Sequence, residues 1–138
     1  MPLHIETSLN PFSEDIDFLG KGIYEEALRK KSMRPLKPFG FFLKDSNSKT
    51  VGGVNGFCYY GCLYMDQLYV EDRYRRQGWG RELVKRAEAF GIEQKCAIFT
   101  VTTMDWEAKV FYEKLGYVLE FCRAGYENDS TMYYFCKK

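Results

Sequence analysis

Leu68-Tyr69-Val70-Glu71-Asp72-Arg73-Tyr74-Arg75-Arg76-Gln77-Gly78-Trp79-Gly80-Arg81 reads as a strand, a short loop with two glycines and the start of a helix. At a helix start the first four N–H groups lack an intrahelical partner, and the aligned peptide dipoles add about half a positive charge. Loop and helix together form an anion cradle. Gly78 and Gly80 let the backbone approach the anion closely, and Arg75, Arg76 and Arg81 add charge beside it. A pyrophosphate is the natural guest. On these residues alone, a plain strand-to-helix turn with solvated arginines is the other reading. The spacing is neither GxGxxG nor GxxxxGK followed by Ser or Thr, which disfavours a dinucleotide fingerprint and a P-loop.

Working outward, the strand before this loop ends a run of three. Phe39 to Leu43 and Val51 to Tyr60 are aromatic and β-branched runs joined by the polar cluster Asp45-Ser46-Asn47-Ser48-Lys49, the pattern of a hairpin. Gly61 turns the chain into Leu63 to Val70. After the loop the period changes: from Gly78 to Ile92, Leu83, Val84, Ala87, Phe90 and Gly91 share one stripe, with Arg81, Glu82, Lys85, Arg86 and Glu88 opposite. Ala97 to Val101 reads as a buried strand and Asp105 to Leu115 as a helix with Gly116 as its C′ residue. Tyr117 to Cys122 and Met132 to Cys136 close the sheet. Upstream, Leu3 to Thr7 alternates like a short strand, and Ser13 is placed to cap a helix towards Met33 with Glu14 and Asp15 in its first turn. Gly20 and Gly22 each cost about 1 kcal/mol against Ala in a helix interior, which predicts a break into two helices. The order β, αα, βββ, α, β, α, ββ is an α/β arrangement: a mixed, mostly antiparallel sheet of about seven strands flanked by about four helices.

The 138 residues, 46% hydrophobic, 28% charged and 17% aromatic, fit one domain over residues 1–138 and lie far from a disordered composition. Twenty Lys plus Arg against 19 Asp plus Glu leave a net charge of +1, so no bulk field draws the chain to nucleic acid or to a membrane surface. Any anion is held by a local site. Cys58, Cys62, Cys96, Cys122 and Cys136 make an odd count with no CxxC and read as reduced thiols, Cys122 and Cys136 on adjacent strands. With the single His4 they give no zinc spacing, and one histidine near the N-terminus nearly excludes Ser-His-Asp and Cys-His hydrolases. No signal-peptide pattern opens the chain and no apolar run approaches the ~20 residues of a membrane span, so the expected compartment is the cytoplasm.

Arg75-Arg76-Gln77-Gly78-Trp79-Gly80, following Leu68-Tyr69-Val70, resembles the acetyl-CoA loop of the GNAT superfamily of N-acetyltransferases, Arg/Gln-x-x-Gly-x-Gly/Ala after a strand with a Leu-x-Val pattern. Asp105-Trp106-Glu107-Ala108-Lys109-Val110-Phe111-Tyr112-Glu113-Lys114-Leu115-Gly116-Tyr117 is similar to the family's second motif, Asn-x-x-Ala-x-x-Phe-Tyr-x-x-x-Gly-Phe. The motif matches run from about residue 63 to 117, and the element order fits the whole chain. The resemblance implies a GNAT-like fold and acetyl transfer from acetyl-CoA, as co-substrate, to an amine by direct attack in a ternary complex, with no metal. It implies pantetheine contacts at the strand end, Leu68, Tyr69 and Val70, and pyrophosphate contacts from the loop residues Arg75, Arg76, Gln77, Gly78, Trp79, Gly80 and Arg81. Asp105 stands where the family carries Asn: it can cap a helix equally well, but as a cofactor contact it brings a negative charge towards a polyanion.

A thioester is already activated, so such an enzyme must orient the amine, keep it neutral, polarise the carbonyl and protonate the leaving thiolate. Tyr112 occupies the family's general-acid position. A phenol of unperturbed pKa about 10 can give up a proton in that role while staying un-ionised at neutral pH. Read without the resemblance, Tyr112 is a half-buried helix residue packing on the sheet, and Phe111 is core. Asp66 lies in the fourth strand where polyamine acetyltransferases carry a carboxylate, which makes it the candidate base or amine anchor. Flanked by Met65, Leu68 and several tyrosines, its pKa is expected to rise by desolvation; an Asp hydrogen-bonded to a strand or a backbone N–H is the other reading. Tyr64 aligns with a carboxylate position of some histone-type members. Tyr59, Tyr60, Tyr64 and Tyr69 are candidates for the acceptor cleft, Arg123 to Ser130 for contact with acceptor or partner subunit, and Glu25 and Glu26 for attracting a cationic amine, although a solvated helix face explains that pair equally simply. The expected acceptor is a small primary amine or a protein amino group, and a homodimer is compatible with the pattern. Two other classes compete: a non-catalytic acyl-CoA-binding regulatory module, against which Tyr112 argues, and a nucleic-acid-binding domain using Arg73, Arg75, Arg76 and Arg81, against which the net charge argues.

Overall fold

The computed structural model describes residues 2–138. The chain divides into two compact units, one ending at Pro35 and one spanning Leu36–Lys138.

In the first unit, Leu3 to Thr7 forms no strand. Leu3 and Ile5 are fully exposed, because alternation makes a strand only where another strand supplies hydrogen bonds. One helix follows, α1 (Ser13–Lys31), unbroken at Gly20 and Gly22. Its N-cap is Phe12, so Ser13 is the first helical residue and caps nothing. Glu14 and Asp15 at its start and Arg29, Lys30 and Lys31 at its end complement the dipole, and Lys21–Glu25 (3.9 Å), Arg29–Glu26 and Lys30–Glu26 (3.3 Å) pair along its surface. These small terms together offset the two glycines, which is why the helix runs through them.

The second unit is a six-stranded sheet with two helices: β1 (Lys37–Lys44), β2 (Thr50–Tyr59), β3 (Cys62–Val70), α2 (Trp79–Glu93), β4 (Ile98–Met104), α3 (Lys109–Lys114), β5 (Val118–Tyr126) and β6 (Ser130–Lys137). The spatial order is β1-β2-β3-β4-β6-β5, antiparallel everywhere except between β3 and β4. The described residues thus hold six strands and three α-helices, against about seven and four expected. The differences are the Leu3–Thr7 segment and the unbroken α1. Asp45 builds the first hairpin by accepting from the N–H groups of Asn47 (2.8 Å) and Lys49 (2.9 Å). The second turns on Tyr60 and Gly61, both with positive φ, the geometry that suits a two-residue hairpin loop.

The core lies between the sheet and α2. Leu83, Val84, Ala87 and Gly91 of the predicted stripe are buried against Val54, Leu63, Met65, Phe99 and Val101. Phe90 packs beside Phe39 and Phe41, with centroids 5.5 and 6.3 Å apart. Two irregularities shape the sheet's centre. Between Asn55↔Gln67 and Gly56↔Met65 the register slips, leaving Asp66 as an unpaired extra residue of β3. Gly56 is required there, since a Cβ would sit 1.9 Å from the Tyr64 carbonyl oxygen. Beyond Met65↔Val101, β3 and β4 no longer pair although both continue, to Val70 and to Met104. The sheet therefore forks on the C-terminal side of its one parallel contact, a usual place for a ligand in an α/β sheet.

Candidate active site

One branch of the fork leads to the loop before α2. Arg75 donates from Nε to the Val70 carbonyl (2.7 Å), lies over the Tyr69 ring and meets Asp72 at 3.4 Å, so it fastens the loop to the end of β3. Arg76 (φ 61°) and Gly78 (φ 89°) both take left-handed backbone and swing the chain into the helix axis. No side chain caps the start of α2, so the first N–H groups of Trp79, Gly80 and Arg81 have neither an intrahelical nor a capping partner. They border a cavity of about 880 Å³ walled on one side by Leu68, Tyr69, Val70, Arg75, Arg76, Gly78, Trp79, Gly80 and Arg81. The facing wall is Glu107, Ala108, Val110, Phe111 and Lys114. At Gly80 a Cβ would press to 3.3 Å on the Phe111 ring, so the small residue sets how closely the two walls approach. Thus nine of the sequence-predicted cofactor residues come together. Gln77 does not join them: its Nε2 donates to the Arg73 carbonyl at 3.3 Å.

Asp105 also lies outside, and the expected role as a cap does not hold. The helix starts four residues later than Asp105, at Lys109, after a turn, and Asp105 itself is exposed. Thr103 takes over part of the capping by accepting the Ala108 N–H on Oγ1 at 3.3 Å, while the Asp105 N–H pairs with the Thr131 carbonyl (2.9 Å). Gly116 does end α3 with positive φ, as expected of a C′ residue.

The other branch is a smaller, more polar cavity of about 260 Å³ in the fork itself, between Met65, Asp66, Gln67 and Leu68 of β3 and Val101, Thr102 and Thr103 of β4, closed by Glu107, Ala108 and Tyr112. Leu68, Glu107 and Ala108 belong to both cavities. Tyr112 is 4% exposed, with its ring packed against Phe111 (5.1 Å), Tyr117 (5.8 Å) and Phe135 (6.3 Å). Its hydroxyl makes no hydrogen bond to the described residues. Burial first, then the negative Glu107 and the nearby Tyr64, push its pKa up to about 12. Asp66, by contrast, is exposed on its bulge. It does not lie among the packed side chains expected around it, because the register slip turns the residue out of the packed face; it also sits in the third strand, not the fourth.

Glu107 is the residue that sequence reasoning passed over. It occupies a variable position of the second motif, and only the late start of α3 brings it into the fork. Of the tyrosines, Tyr69 lines the larger cavity. Tyr64 lines neither and places its hydroxyl 3.4 Å from Thr102 Oγ1; Tyr59 and Tyr60 likewise line neither. Glu25 and Glu26 pair with the basic residues of α1, the solvated-face arrangement. The five cysteines form no disulfide among the described residues and none lines either cavity; Cys122 faces Tyr133 and Cys136 faces Val118, so the two are not opposed. Tyr117 Oη donates to Glu88 (2.8 Å), which also pairs with Lys137 (3.2 Å), tying the end of the second motif to α2 and β6.

The profile of the acetyltransferase (GNAT) domain matches residues 37–119. The chain is similar to blasticidin-S acetyltransferase of Streptomyces morookaense, 33% identical over 87 residues, 62% of this chain and 64% of that protein, so it spans just under two thirds of that relative. In structure it resembles an acetyltransferase assigned in Agrobacterium tumefaciens (TM-score 0.84, 18% identity, 98% of each chain). It also resembles a Bacillus anthracis protein described as a streptothricin acetyltransferase and solved in complex with acetyl coenzyme A (TM-score 0.65, 20% identity, 72% of this chain and 61% of that one). At such identities the structural likeness is one of fold. With a forked sheet, a glycine loop opening a helix, and the domain profile covering more than half of its length, this chain belongs to the GNAT acetyltransferase family.

Proposed function

We propose that this protein transfers an acetyl group from acetyl-CoA to an amine. The observation that carries the reading is the shared wall: Leu68, Glu107 and Ala108 join the cationic cavity at the start of α2 to the fork that holds Tyr112. A ligand with a pyrophosphate at one end and a thioester at the other fits that path. The uncapped N–H groups of α2 with Arg76 and Arg81 suit the pyrophosphate, and the edge of β3 left unpaired after Met65 suits the amide-bearing arm. The similarity to blasticidin-S acetyltransferase and the match to the acetyltransferase (GNAT) domain support acetyl transfer, and an amine is the acceptor inferred for it.

The thioester brings an activated carbonyl; the remaining work falls to the chain. Its fork brings the amine beside that carbonyl, so that a C–N bond forms as the C–S bond breaks. One proton leaves the amine and one reaches the thiolate, which balances the transfer. Tyr112 is the proton donor in this reading, and its raised pKa keeps it protonated throughout the physiological range. A phenol at about 12 is a weaker acid than an ordinary thiol. Delivery therefore depends on the thiolate being desolvated, and so made more basic, in the same buried fork. Asp66, exposed at the mouth, receives the amine and its proton directly or through water. The test is a screen of amines with acetyl-CoA, read by thiol release, beside calorimetric binding of acetyl-CoA. Thiol release that depends on an amine is expected; no release with any amine, despite binding, overturns the assignment in favour of a non-catalytic acyl-CoA-binding module.

A further inference from the structure

Glu107 sits where the two cavities meet and is held there by one oxygen only. Its Oε1 accepts the Met104 N–H at 2.8 Å, which ties the side chain to the end of β4. Its other oxygen has no hydrogen bond or ion pair among the described residues. Asp66, on β3, lines the same small cavity, and so does Tyr112, a side chain buried to more than nine tenths and without a hydrogen-bond partner among the described residues. No lysine or arginine lines this small cavity, whereas Arg75, Arg76, Arg81 and Lys114 line the larger one. The two ends of the path therefore carry opposite charge: basic where phosphates fit, acidic where the reacting nitrogen must come.

We propose that Glu107 is an acceptor-binding residue and that, together with Asp66, it makes the fork selective for aliphatic amines that arrive as ammonium ions over amines that are neutral at the same pH. This rests on the acetyl-transfer reading and names the class of acceptor for it. An ammonium N–H donates to the free Glu107 oxygen and to Asp66, which places the nitrogen beside Tyr112. The carboxylates then hold the proton that the nitrogen must shed before it attacks. A neutral arylamine makes no charge-assisted bond of this kind.

Glu107→Gln tests the assignment, because the amide keeps a carbonyl oxygen for the Met104 N–H while removing the charge. Steady-state kinetics at neutral pH compare one primary alkylamine and one arylamine, with acetyl-CoA saturating. The expected result is a rise of about 10- to 100-fold in KM for the alkylamine, the size of a lost charge-assisted hydrogen bond. Its kcat should change less, and the arylamine constants should move less than about twofold by the same logic. Acetyl-CoA affinity by calorimetry should not fall. Equal effects on both amines, no effect on either, or a wild type that prefers the arylamine overturn the role of Glu107 while leaving acetyl transfer intact. A wild type that binds acetyl-CoA and acetylates no amine overturns the activity itself, and this inference with it. Glu107→Ala, which also removes the acceptor for Met104, separates the loss of the hydrogen bond from the loss of charge.

Discussion

Helices α1 and α2 both begin without a side-chain cap, and they differ in the charges that surround that beginning. In α1, Glu14 and Asp15 in the first turn complement the positive end of the dipole. At the start of α2 the one acidic residue, Glu82, is turned to Arg86 at 3.2 Å, while Arg76 and Arg81 stand beside the open N–H groups and Arg75 fastens the loop next to them. Cations at the positive end of a helix are unfavourable by a few tenths of a kcal/mol each. One helix start is electrostatically finished by its own sequence. The other is finished only by an anion. The start of α3 is a third solution: Thr103 partly satisfies it by accepting the Ala108 N–H, and Glu107, just before the helix, faces the fork.

The largest effect is expected where the anion meets the backbone. Gly80→Asp adds bulk and a negative charge in the first turn of α2, so acetyl-CoA affinity measured by calorimetry should fall more than about 100-fold, the scale of several charge-assisted hydrogen bonds turned repulsive. The Cβ meets only the edge of the Phe111 ring at 3.3 Å, so the fold should persist in a thermal unfolding scan. Wild-type affinity in a folded variant would break the contrast between the two helix starts. Next comes the α3 side. Tyr112→Phe keeps the packing against Phe111, Tyr117 and Phe135 and removes only the hydroxyl. Turnover should drop by about 10- to 10⁴-fold, with acetyl-CoA affinity nearly unchanged. The same variant reads out the burial of the phenol. In the native state it stays protonated to about pH 12, whereas in the unfolded chain it ionises near 10. Its contribution to stability is thus complete below pH 10 and is lost between roughly 10 and 12, so alkaline unfolding in that window should be shallower for Tyr112→Phe.

Asp66→Asn should act more weakly, because the residue is exposed. A fall of about tenfold in kcat/KM at neutral pH is expected, shrinking at high pH where the acceptor is already neutral. An unchanged pH profile would make Asp66 a bulge residue and leave the amine to Glu107 alone.

How far each of these sites could be read from the sequence follows from what encodes it. The loop at Arg75 to Arg81 is local: glycines supply the backbone, arginines the charge, and the apolar stripe of Leu83, Val84 and Ala87 announces the helix. The hairpins were equally readable from Asp45 and Gly61. The fork was not. Asp66 is turned outward by a register slip set against Gly56, ten residues away in another strand, and nothing in Met65 or Leu68 signals it. Glu107 enters the site because α3 starts at Lys109 instead of Asp105, which depends on Thr103 capping from the end of β4. The unbroken α1 and the missing Leu3–Thr7 strand have the same origin: two glycines weighed alone outweigh ion pairs that only the folded helix forms, and a strand needs a partner that its own sequence cannot supply.

The smallest expected effect is the most discriminating for the two helix starts, because its sign differs between the free and the liganded protein. If the arginines at α2 are retained for an anion, replacing them should help the free chain. Arg76→Glu with Arg81→Glu gives the start of α2 the charge pattern that α1 already has, and neither side chain makes an ion pair among the described residues that would be lost. In the absence of ligand the double variant should therefore be more stable to denaturant by about 0.3–1 kcal/mol per charge, an effect that salt should erode. Added acetyl-CoA should stabilise the wild type by mass action and the variant little or not at all, so the order of the two unfolding midpoints reverses as ligand is titrated in. A variant less stable than wild type without ligand would mean that Arg76 and Arg81 hold the loop together, as Arg75 does through the Val70 carbonyl. A variant that gains stability yet still binds acetyl-CoA as tightly as wild type would place the phosphates away from α2, on Lys114 and the opposite wall of the same cavity.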